Sequence, residues 1–215
     1  MKNKTLSQEN VISPGYNKST RVFVIILGIL TGFGGIGHGI FEILQGNRPT
    51  KDILERMGAF TIIPNYFLTG IAAIIISSVI IFWTICFIHK KHGPIIYLLL
   101  SIMLFFVGGG IAMILSFLLT WIVATRINKP LSWWRKIFPE KLRKIFATLW
   151  LSILILGFLL FSIGIGIWLL LTPPGETNQI NIVDYVCWLF LCIGLLLLIL
   201  SIIFGFARDI EKRVN

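Results

Sequence analysis

The sequence predicts an all-α fold, a polytopic integral membrane helical bundle, and three observations carry that expectation. The chain of 215 residues is 56% hydrophobic and only 13% charged, with a mean hydropathy of +0.91. Its apolar residues fall in uninterrupted runs of membrane-spanning length, and its basic residues lie almost entirely between those runs. A soluble globule is excluded, because so few charges cannot cover the surface of a chain this apolar.

The formal charge is +10, from 19 Lys and Arg against 9 Asp and Glu. Spread over one folded face, that excess would suit a nucleic acid. Confined between apolar runs, it points instead to a cell-membrane protein that meets anionic lipid headgroups on the cytoplasmic side, with no nucleic-acid partner.

Residues 1–21 are polar and read as a cytoplasmic N-terminal segment. The apolar run 22–45 lacks a small-residue cleavage site and is too long for a signal peptide, so it is expected to stay as a helix. About 20 apolar residues are needed to cross the hydrocarbon core. Runs 22–45, 67–88, 147–172 and 185–207 meet that length.

Run 94–125 spans 32 residues and would be about 48 Å long as one helix. Gly108, Gly109 and Gly110 stand in its middle and would together cost a helix about 3 kcal/mol relative to alanine. One kinked helix, a re-entrant pair and a hairpin of short helices (94–107 and 111–125, turning at the glycines) all fit that pattern.

Charge distinguishes them. A hairpin makes six segments, with 16 of the 19 basic residues on the cytoplasmic side together with both termini, leaving Arg48, Lys51 and Arg56 outside. A single span puts at best 13 inside and 6 outside. The positive-inside rule favours four full spans plus the short glycine-turn hairpin.

Residues 22–207 thus form a single transmembrane domain, followed by a cytoplasmic tail, 208–215. The eight prolines fall outside the span interiors, where a missing N–H would be costly. Segment 127–146 interleaves aromatics with charges and is expected to lie at the headgroup layer, with Trp133, Trp134, Arg135, Lys136, Lys141, Arg143 and Lys144 touching lipid. Residues 52–58, opening on Asp52 and Glu55, suggest a short helix on the outer surface. Residues 173–184 read as a plain external turn.

Chemistry-bearing residues are few. Cys86, Cys187 and Cys192 all lie in apolar runs without metal-ligand spacing, so neither a disulfide framework nor a metal is expected. No cofactor motif and no nucleophile motif occurs, and no catalytic residue is assigned. His89 and His92 flank Lys90 and Lys91 and read as solvated.

The informative stretch is 32–46. His38 and Glu42 are four apart, hence on one helical face, and form the only strongly ionisable pair inside any expected span. Such groups normally face a bundle interior or a wet cavity. Gly28, Gly32, Gly35 and Gly39 recur every three or four residues and make a smooth seam for a close-packed helix, in this chain, a second copy or a membrane-protein partner. Glu42 is therefore either a buried packing acid or a working group. Asn65 and Tyr66, just ahead of the second span, are candidates for lining an outer mouth near Glu42.

Residues 34–46 (GGIGHGIFEILQG), 61–65 (TIIPN), 91–93 (KHG) and the triple glycine together resemble a group of prokaryotic multi-span membrane proteins with no assigned activity. The resemblance covers about residues 22–126 and implies no function. Three functional classes follow from the residues: a small permease, channel or membrane subunit handling protons, an ion or a small solute at His38 and Glu42; a non-catalytic interaction, assembly or sensor subunit; and, least supported, an intramembrane enzyme acting on lipid.

Overall fold

The computed structural model describes residues 16–50, 61–110, 113–171 and 182–214. The described residues are helical, without strands apart from one isolated bridge between Thr61 and Val107. The helices are α1 (Lys18–Leu44), α2 (Tyr66–Cys86), α3 (Gly93–Phe106), α4 (Met113–Ala124), α5 (Ser132–Ile137), α6 (Glu140–Leu171) and α7 (Ile182–Val214). Of these, α1, α2, α6 and α7 are long and apolar enough to cross a membrane.

Run 94–125 is not one helix. It divides into α3 and α4, of 14 and 12 residues, about 21 and 18 Å long. Gly108 and Gly110 take φ of +90° and +79°, a left-handed conformation that residues with a Cβ adopt only at a cost. Pro94 occupies the first turn of α3, where its missing N–H would have had no helical partner.

Helices α1 to α4 pack together, and α6 and α7 form a long antiparallel pair. The seam Gly28, Gly32, Gly35 and Gly39 faces inward, mainly onto α2. A Cβ on Gly28 would strike Thr84, one on Gly32 would strike Ile81, and one on Gly35 would strike Ser77 and Leu104 of α3. Gly39 and Gly70 face each other, each occupying the space a Cβ on the other would need. The seam is filled within this chain.

A second seam, which the sequence reading passed over, joins α6 to α7. Gly157 lies against Leu197 and Leu198, Gly164 against Leu191, and Gly194 against the backbone of Phe161. The seven-residue spacing of Gly157 and Gly164 keeps both on one helical face.

Several boundaries differ from expectation. α6 starts at Glu140 and α7 runs on to Val214, so both reach well past 147–172 and 185–207. The expected headgroup segment 127–146 is therefore the short α5 plus the opening turns of α6. Its aromatics explain the continuation. Trp134 stacks on Phe138 with centroids 5.7 Å apart and meets Phe206 at 5.2 Å, while Phe146 stacks on Phe204 at 4.3 Å. Residues 1–15, the suggested helix 52–58 and most of turn 173–184 lie outside the described residues.

The two helical groups are clamped together at one end. Asp209 on α7, 4% exposed, accepts from the backbone N–H groups of Ser19 and Thr20 at 2.8 Å each and from the Thr20 hydroxyl at 2.7 Å. It thereby caps the start of α1, where Asn17 makes no capping bond of its own. Asn17 instead donates to the carbonyls of Arg126 and Lys129 (side chain, 2.6 and 3.0 Å) and of Ile127 (backbone, 2.7 Å), closing the end of α4. The buried side chains of Arg143 and Glu211 pair between α6 and α7.

Replacing Asp209 with alanine strands two backbone donors and a hydroxyl at a buried helix start. The variant is expected to lose about 2 to 3 kcal/mol, read as a lowered thermal unfolding midpoint in detergent micelles. Gly166→Ala, at a position with open space around it, serves as the control and should match or slightly exceed the parent chain.

Candidate functional site

The candidate site lies at the opposite end of α1 from the clamp. Glu42 is 6% exposed and His38 half-buried, one turn apart on the same helix. Gly39 between them brings α2 to backbone contact, so this turn of α1 is held against a neighbouring helix rather than turned to lipid.

The glycine turn between α3 and α4 closes over the same two side chains. A Cβ built on Gly110 would sit 2.6 Å from Nε2 and 2.9 Å from Cε1 of His38. One on Gly108 would sit 3.1 Å from Oε1 of Glu42 and 2.9 Å from Cγ2 of Thr69. Both positions thus favour glycine on two counts, positive φ and little room. The intervening Gly109 donates to the Leu104 carbonyl at 2.9 Å, which draws the turn back onto α3.

The strand-like piece ahead of α2 braces the turn from outside. Ile62 donates its backbone N–H to the Phe106 carbonyl at 3.0 Å, beside the Thr61 and Val107 bridge. The hydroxyls of Thr61 and Thr69 are 3.0 Å apart, and Thr69, fully buried, also donates to the Ile63 carbonyl at 3.2 Å. Glu42, His38, Thr69 and the glycine turn therefore converge from three segments far apart in sequence.

Asn65 and Tyr66, expected to line a mouth, take other places. The Asn65 side chain accepts from the Leu68 N–H at 3.1 Å, making it the N-cap of α2, and donates to Asn47 at 2.6 Å. Tyr66 is buried, and its backbone N–H donates to the Arg48 carbonyl at 3.1 Å. Both position the start of α2.

Further along the interior of α1 to α4, towards the clamp, lies a set of hydroxyls drawn from all four helices. Thr31 and Ser116 share a hydrogen bond of 2.7 Å, and the Tyr97 hydroxyl lies 3.5 Å from Thr31. Tyr97 and Thr120 are fully buried. The Ser77 hydroxyl, against Gly35, is buried and has no hydrogen-bond partner among the described residues.

At the clamp end, burial, then the charges of Arg21 and Lys90, hold the His89 pKa below its ordinary value. Among the basic residues expected at headgroups, Arg143 departs from the others. It is 8% exposed and engaged with Glu211, a structural pair inside the protein. Lys144 bonds Glu140 at 2.6 Å on the surface. Trp133, Arg135, Lys136 and Lys141 are exposed.

No group of three or more His, Cys, Asp or Glu among the described residues could hold a metal ion, and the three cysteines are free thiols. No family model, no curated protein and no solved structure matches the chain.

If the Gly110 turn rests on His38, the two positions must be energetically coupled. Gly110→Ala alone is expected to destabilise by about 2 to 3 kcal/mol, combining left-handed strain with the collision. In a His38→Ala background the collision is relieved, and the added cost should fall to about 1 to 2 kcal/mol. Unfolding of the four members of the cycle in detergent measures the difference.

Proposed function

We propose that this chain is a cell-membrane protein of six membrane segments, with α3 and α4 as a short hairpin and both termini cytoplasmic, that handles a proton or small cation at His38 and Glu42. The observation that carries this reading is the buried Glu42 carboxyl, one turn from His38 and closed over by the tip of a hairpin. An acid held at that depth has to be neutralised by a proton, a hydrogen-bonding partner or a cation, since an isolated charge in the hydrocarbon region costs several kcal/mol.

The arrangement suits a gated exchange site. His38 offers two ring nitrogens that can donate or accept a hydrogen bond or a proton, and the glycine turn touching both side chains is the element whose position their charge would bias. The buried hydroxyls of Ser77, Thr31 and Tyr97 and the half-buried one of Ser116 supply further polar groups in the same four helices. Orientation follows from charge. The clamp end carries fourteen described Lys and Arg residues, and at the turn end the described residues contribute Arg48 alone, so the clamp end is taken as cytoplasmic.

An assembly or sensor role is the second reading. It would have to use a surface other than the seam Gly28, Gly32, Gly35 and Gly39, which α2 occupies. The outer faces of α6 and α7, with Trp188, Leu189, Leu195 and Leu196 exposed, are the available candidate.

Purified protein in liposomes loaded with a pH-reporting dye tests the first reading. Imposed proton, sodium and potassium gradients should produce dye responses above those of empty liposomes. Glu42→Gln and His38→Asn should each reduce the active response at least about ten-fold. Wild-type liposomes indistinguishable from empty ones under all three gradients would end the transport reading and favour the second.

A further inference from the structure

A groove opens at the clamp end between α4, α5 and α7, far from His38 and Glu42. Its volume is about 480 Å³. Leu119, Ile122 and Val123 of α4 form one wall and Ile202 and Phe206 of α7 the other, while Pro130 to Trp134 make the floor. Trp134, held between Phe138 and Phe206, is a fixed part of that floor, and Trp133 is 63% exposed beside it.

Arg126 stands at the edge of this groove, where α4 has ended. Its surroundings are short of negative charge. The clamp end carries three described acids, and each is engaged: Asp209 caps α1, Glu211 pairs with Arg143 and Glu140 with Lys144. Among the described residues, exposed Arg126, Lys129, Arg135 and Lys136 therefore have no acid left at this end to balance them.

We propose that this groove binds one anionic glycerophospholipid of the adjacent leaflet. The phosphate sits against Arg126, with the Ser132 hydroxyl in reach of the same edge, and one acyl chain lies between α4 and α7 on Leu119, Ile122, Ile202 and Phe206. The chemistry selects a lipid on two counts at once. The walls are apolar and the rim is cationic, so a chain of methylenes gains from burial between α4 and α7 while the headgroup phosphate meets Arg126. A bound lipid would also bridge the two helical groups beside the Asp209 clamp.

The site is independent of the ion-handling proposal and is tested without it. Protein extracted in mild detergent is equilibrated with phosphatidylglycerol or phosphatidylcholine of matched chains, and retained lipid is counted by native mass spectrometry. One phosphatidylglycerol should be retained in preference to phosphatidylcholine. Arg126→Gln should weaken that retention about five-fold, the loss of one headgroup cation. Leu119→Trp, which fills the groove and leaves every charge in place, should abolish it. Lys136→Gln, remote from the groove lining, should leave it unchanged. Equal retention of the two lipids, or equal weakening by Lys136→Gln and Arg126→Gln, would overturn a defined site in favour of diffuse attraction. Retention that survives both Arg126→Gln and Leu119→Trp would overturn the location. Displacement of lipid by a co-purifying protein on the same residues would assign the groove to that partner.

Discussion

The rest of this structure depends on one constraint: a polypeptide in hydrocarbon must satisfy its own backbone polar groups. Residues 94–125 break that continuity at three glycines, and such a break survives among apolar helices only under cover. The cover comes from α1, through His38 and Glu42, from Thr69 of α2, and from the Thr61 bridge and Ile62 bond. The glycine turn and the ionisable pair are for this reason one construction. Removing Cβ atoms at 108 and 110 allows the turn to form and also lets it approach close enough to touch both side chains.

The same logic of close approach governs the helix pairs. Two glycine seams, 28 to 39 on α1 and 157 to 164 on α6, bring backbones together where side chains would hold them apart. Because lipid tails are as apolar as leucine, there is little hydrophobic gain in pairing these helices, and dense contact has to replace it. At the other end, which carries fourteen of the described Lys and Arg residues, polar chemistry takes over. Asp209 capping α1, Asn17 on the α4 carbonyls and the Arg143 and Glu211 pair hold the α6 and α7 hairpin to the first four helices. The bundle is packed by small residues between its apolar helices and latched by hydrogen bonds at one end.

Much of this was legible in the sequence, because membrane helices advertise themselves by length. The four long runs match α1, α2, α6 and α7 within a few residues at most ends, and Gly108 to Gly110 mark the point at which run 94–125 divides into α3 and α4. The continuations of α6 back to Glu140 and α7 on to Val214 were missed, since polar and basic residues there read as loop. What makes them helical is contact between distant positions, Phe146 with Phe204 and Arg143 with Glu211, which a local pattern does not reveal. Asp209 gave no local signal for the same reason, its partners being 189 and 190 residues away. His38 and Glu42 were identifiable as unusual, but that the triple glycine rests on them follows only from the folded arrangement. Asn65 did carry a readable signal, an Asn directly before an apolar run, and its capping role could have been inferred.

The most direct test of the central claim is a cross-link between position 38 and position 110. With Cys86, Cys187 and Cys192 replaced by alanine, cysteines are introduced at His38 and Gly110, a protease site is placed within residues 51–60, and the membrane-embedded protein is treated with a short bifunctional thiol reagent before cleavage. The arrangement described here predicts that the two fragments stay joined until the link is reversed, while a cysteine pair at His38 and Gly166 does not join them. Fragments that separate despite both thiols having reacted would contradict the contact between the glycine turn and α1, and with it the account of the site.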